Sequence, residues 1–123
     1  MVTDQATGDV GRLWRIFFWL AAAYNIGIGG MGLFDPEALS TAMIASLLVI
    51  CFGIVYAIVA TDPLRYAAML WAGIVGKVGV IAILAPEVQA GITPAGTGII
   101  LLGDGLFVIG FLLFLFRHRG FAL

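Results

Sequence analysis

Hydrophobic residues along this chain gather into four long runs, 13–34, 40–60, 64–85 and 95–116, separated by short polar or proline-bearing links. Each run is about 20 residues long, enough for a helix rising 1.5 Å per residue to cross the ~30 Å hydrocarbon layer of a bilayer. The links carry helix-start chemistry. Asp62-Pro63 and Thr93-Pro94 each set a capping residue before a proline, which suits the first position of a helix. Asp35-Pro36-Glu37 does the same before the second run, as a short interfacial turn. Short links make successive helices antiparallel neighbours. The expected fold is therefore all-α: an integral membrane four-helix bundle, up-down-up-down, forming one domain over residues 1–123.

Composition supports lipid as the solvent. Of 123 residues, 63% are hydrophobic and 11% charged, with a mean hydropathy of +1.15. A soluble domain of this size buries too small a share of its surface to hide so much apolar area. The net charge of −1 and the scattered basic residues leave no footprint for nucleic acid. With Cys51 alone, intrachain disulfides and CxxC redox centres are excluded, and Cys51 reads as a small packing residue. With His118 alone, bis-His haem and multi-His metal sites within one chain are excluded. No cofactor or metal is expected. The first run is not expected to be a cleaved leader, because its apolar core between Arg15 and Ala21 is short for a signal peptide, despite Ala21-Ala22-Ala23.

The arginines set the orientation. Arg12 and Arg15 precede the first run, Arg65 separates the second and third, and Arg117 and Arg119 follow the fourth. The other two links hold Asp35, Glu37 and Glu87 and no basic residue. The positive-inside rule then places both termini in the cytoplasm, and the chain is expected to be a multi-pass protein of a bacterial inner membrane. Trp14, Tyr66 and Phe116 form an inner interfacial belt, and Arg15 and Arg65 can snorkel to the same boundary. A sparse echo at an offset of 50 residues, in which Leu20, Ala22 and Gly29 recur as Leu70, Ala72 and Gly79, fits either a duplicated hairpin or chance.

Candidate chemistry sits at mid-depth. Lys77 lies about 13 residues, roughly 20 Å, into the third run, Asp104 roughly 17–20 Å from the same side, and Asn25 roughly 18 Å into the first. A charge at that depth costs at least ~2.5–3.5 kcal/mol on insertion scales, so it normally faces a partner or a wet cavity. Asn25, Lys77 and Asp104 are expected to meet as a polar layer that Tyr24 and Tyr56 can line. Gly73, Gly76, Lys77 and Val80 fall on one stripe, as do Asn25, Gly29 and Gly32, while Gly103 and Gly105 flank Asp104. Gly29, Gly73, Gly76, Gly103 and Gly105 are thus the expected helix-packing positions, with Ala23-xxx-Gly27 and Ala72-xxx-Gly76 as further small-residue pairs. The glycine-rich stretch 27–32 lacks a GK[ST] ending and follows no strand, so it is not a phosphate loop.

The whole plan resembles the DoxX-like group of small bacterial four-helix membrane proteins. The likeness is carried by Arg15 opening the first span, a Gly-rich first helix ending near Asp35-Pro36, the Gly73 to Lys77 core, and Gly103-Asp104-Gly105-Leu106-Phe107 before a basic tail. It implies a four-helix membrane fold and, by similarity to some members, an accessory subunit of a quinone-linked oxidoreductase. Lys77 departs from the acidic residue expected in better-known members.

No nucleophile–base set or metal-ligand cluster is evident, so an enzyme ranks last and no catalytic residue is assigned. The leading expectation is an accessory or partner subunit of a membrane complex, or a homo-oligomer, embedded in lipid. The alternative is a small oligomeric transporter or proton-coupled carrier using Asp104 and Lys77. The polar layer serves either as a register-fixing ion pair or as a working site.

Overall fold

A computed structural model describes residues 11–119, and these are helical apart from turns. The helices are α1 (Arg12–Leu33), α2 (Ser40–Thr61), α3 (Leu70–Gln89) and α4 (Thr97–Arg119), with a 3-10 turn, Ala67–Met69, before α3. All four are long and apolar enough to cross a membrane.

The helix boundaries are set by backbone chemistry that the prolines only partly foretell. After α1, the Asp35 carboxylate accepts from Glu37 N (2.9 Å) and its carbonyl from Ala38 N (3.1 Å), closing the expected turn. Asp62 does not start the third helix. It ends α2, with φ −157° and its amide donating to Val59 O at 3.1 Å. Pro63 disfavours helical geometry in the residue before it. Tyr66 N then donates back to Asp62 O (3.1 Å), so residues 63–66 form a turn and α3 begins at Leu70 rather than residue 64.

α3 also runs beyond residue 85. Pro86 is accommodated inside the helix, and the true stop is Gly91. At φ +74° its amide donates to Val88 O, and Ile92 N donates to Glu87 O, both at 3.1 Å. That pair of bonds is the left-handed Schellman closure, which glycine adopts without a Cβ penalty. Likewise Gly96, at φ +90°, interrupts the chain. α4 therefore starts at Thr97, whose hydroxyl donates to Pro94 O (2.8 Å), three residues later than the Thr93-Pro94 signal implies.

The chain divides into two compact units between Ala67 and Ala68. In the first, contacts run in opposite directions along α1 and α2. Arg15 Nη1 donates to Thr61 O (3.1 Å) at one end. Gly53 sits against Ala22, Asn25 and Ile26 in the middle, and Gly29 sits against Ser46 and Ile50 further on. The close fit is measurable at the glycines. A methyl group at Gly29 would stand 2.7 Å from Ser46 O, and one at Gly53 would stand 3.1 Å from Ala22 O. Phe18, Ala21, Ala22, Tyr56, Val59 and Ala60 are buried.

In the second unit α3 and α4 also run antiparallel, with Lys77 against Asp104 and Val88 against Gly98. Leu70, Gly73, Ile74 and Lys77 form the buried stripe of α3. On α4 the buried positions are Leu101, Asp104, Val108, Phe111, Phe114 and Leu115. Both sets follow the i, i+3, i+4, i+7 spacing of one helix face.

Candidate functional site

The second hairpin builds its polar centre from one residue on each helix. Lys77 belongs to the buried stripe of α3 and Asp104 to that of α4, so packing of the two apolar faces delivers the ammonium to the carboxylate. Lys77 Nζ donates to Asp104 Oδ1 at 2.5 Å. The residues are only 6% and 8% exposed. Phe107, one turn beyond Asp104 on α4, sets its ring centroid 5.6 Å from the same ammonium. A charge over an aromatic face in a desolvated setting gains up to about 2 kcal/mol. The lysine head is thus held between a carboxylate and a ring, both supplied by α4.

Such a pair has a lopsided energetic role. Bringing two charges out of water offsets much of their attraction, so the intact pair adds little net stability, whereas removing one member typically costs ~3–5 kcal/mol. A pair of this kind can fix the register of two helices. Gly103 and Gly105 border Asp104 with no side chain of their own, and a methyl at Gly105 would meet Ile81 Cδ1 at 3.9 Å. Gly73 is buried on the Lys77 stripe.

Gly76 differs from expectation. A Cβ there would meet nothing within 4 Å. The contacting stripe of α3 passes through residues 70, 73, 74 and 77 rather than 73, 76, 77 and 80, and Val80 is exposed. Gly76 thus lies off the contacting stripe although it is the neighbour of Lys77 in sequence.

Asn25, Tyr24 and Tyr56 all belong to the first hairpin. Asn25 is 6% exposed and its Nδ2 donates to Val49 O of α2 at 3.1 Å. This amide-to-carbonyl bond depends on Gly53, where any Cβ would lie 3.1 Å from Asn25 Cβ. Tyr56 is buried and Tyr24 half-buried. Gly53 and Ser46, which carry the α1–α2 approach, escaped the sequence reading. The usable signal was that Gly53 is the one glycine in α2.

Cys51 is exposed on α2, and His118 stacks on Phe114 at 4.7 Å between centroids, with Nδ1 3.3 Å from Phe114 O. Among the described residues, no three His, Cys, Asp or Glu side chains gather as metal ligands. Comparison with family models, curated proteins and solved structures found no match.

Proposed function

We propose that the chain is a multi-pass inner-membrane protein, its helices crossing up-down-up-down with both termini cytoplasmic, and that it serves as an accessory or partner subunit. Large apolar side chains are exposed on every helix, among them Leu13 (81%), Leu48 (55%), Ile83 (68%) and Leu102 (71%). Exposing each to water rather than burying it would cost ~1.5–3 kcal/mol. Apolar surface of this extent, exposed on all four helices, marks contact with a membrane or with other proteins. Lipid and other helices are the surroundings that suit them.

The observation that carries the partner role is a pair of unfilled small-residue stripes. On α1, Ala23 is exposed and Gly27 and Gly30 have nothing within 4 Å of a Cβ position. On α3, Ala72 is exposed and Gly76 and Gly79 are equally open. Both stripes read Ala-xxx-Gly-xx-Gly. In lipid, where apolar side chains gain nothing by leaving the tails, close backbone approach at small residues is a main source of helix association. The Lys77–Asp104 pair is satisfied within one hairpin and so supports structure rather than turnover. A DoxX-like assignment belongs to the same proposal.

Extraction of the chain from its own membranes in a mild detergent tests the role. A particle well above the 13.0 kDa chain, containing a fixed partner or further copies, supports it. A lone chain contradicts it. One observation favours a second reading, that of a small carrier: both ionisable groups stand at mid-span. Proton or solute flux in proteoliposomes that is lost in Asp104→Asn would favour that reading instead.

A further inference from the structure

The two hairpins carry the same contact plan. One constant shift along the chain moves the buried Phe18, Ala21, Ala22 and Asn25 of α1 onto the buried Leu70, Gly73, Ile74 and Lys77 of α3. A slightly larger shift moves the buried Gly53, Tyr56, Val59 and Ala60 of α2 onto the buried Val108, Phe111, Phe114 and Leu115 of α4. Any two helices with one buried face could be slid into such agreement. Burial alone fixes both shifts, however, so the contacts across each hairpin are an independent check. They agree twice. Asn25 donates to Val49 O, and the same two shifts turn that pair into Lys77 and Asp104. Gly29 lies against Ile50, and their counterparts Ile81 and Gly105 also meet, with the glycine now on the opposite helix. Trp19 and Trp71, Leu47 and Leu102, and Phe52 and Phe107 coincide as well. So do Gly27 and Gly79, both with nothing within 4 Å of a Cβ position.

We infer that the two hairpins are one module used twice, and that Lys77–Asp104 is the charged version of a lock whose neutral version is Asn25 to Val49 O. The residue on the facing helix decides which version fits. Gly53 lets α1 and α2 come close, so the short asparagine amide reaches a backbone carbonyl. Val108 stands in the place of Gly53 on α4, and α3 and α4 lie less close along their length than α1 and α2. The spacing of two packed helices follows the side chains at their contact. A longer donor, lysine, and a side-chain acceptor, aspartate, then span the wider gap. Gly53 and Val108 are thus positioning residues for the two locks. The charge at the centre of the second hairpin is a matter of reach rather than of turnover. The inference draws only on contacts inside each hairpin, so it stands or falls separately from the membrane and partner readings.

Converting the second lock into the first tests this, read as the midpoint of thermal unfolding of the full chain in detergent. In the wild-type chain Val108→Gly should lower the midpoint, because it removes a buried side chain and adds a glycine to a helix. Lys77→Asn with Asp104→Val should also lower it, because the short amide is then buried out of reach of an acceptor. Val108→Gly added to that pair should raise the midpoint, since the helices can close and the amide can reach the carbonyl of residue 104. A midpoint that falls or stays the same on that addition would overturn the inference. If the double variant does not accumulate in cells, accumulation of the triple variant reports the same reversal, and failure of the triple variant to accumulate would likewise overturn it.

Discussion

Gly53 of α2 lies directly beneath Asn25 of α1, so close that a single methyl group on it would come within 3.1 Å of Asn25 Cβ. That approach lets the Asn25 amide reach Val49 O and ties the two helices in register. Gly53→Ala should therefore destabilise the protein by ~1–3 kcal/mol, the usual cost of overpacking. Gly27→Ala, with open space at its Cβ, should be neutral or slightly stabilising because alanine is the better helix former. Thermal unfolding in detergent compares them, and equal effects would mean that the two hairpin faces are not distinguished.

Removing the Asn25 amide isolates the hydrogen bond from the packing. Asn25→Leu should cost about 0.6–1.7 kcal/mol, the range for interhelical hydrogen bonds in membrane proteins. A larger loss would show that leucine does not fit over Gly53 and that shape outweighs the bond. The same unfolding assay reads both.

Gly76→Leu should leave the isolated chain as stable as wild type, since nothing lies within 4 Å of its Cβ position. Its effect should instead fall on association, as a reduced particle mass in mild detergent. Strong destabilisation of the isolated chain would place Gly76 in an intrachain contact.

Much of the second hairpin's centre was legible in the sequence, because a buried charge in an apolar run has few options. Counting helical rise from each end brought Lys77 and Asp104 to one depth, and they meet at 2.5 Å. The helix ends were less legible. Asp62-Pro63 and Thr93-Pro94 look like starts, but left-handed glycines at 91 and 96 and the turn after Pro63 decided the boundaries. Faces were the least legible. Runs that are apolar on all sides carry little periodicity, so periodicity did not tell Gly53, which packs, from Gly76, which is open.

Orientation has its own test. Reporter fusions at residue 123 should behave as cytoplasmic, and fusions near Glu37 or Gln89 as external. The arginines flank one end of each hairpin and the acids Asp35, Glu37 and Glu87 the other. A C-terminal reporter active only outside would reverse the orientation or remove a span.

The most direct test of the central claim, that the Lys77–Asp104 pair is a structural lock and the outward faces carry the role, is a double-mutant cycle read for both stability and assembly. Lys77→Met and Asp104→Leu should each destabilise by ~3–5 kcal/mol, because each strands a buried charge, while the double variant should recover most of that loss. The account predicts that the recovered double variant still forms the full-mass particle in its own membranes. A double variant that is equally stable yet fails to assemble or to support the cellular phenotype would contradict it and make the pair a working site.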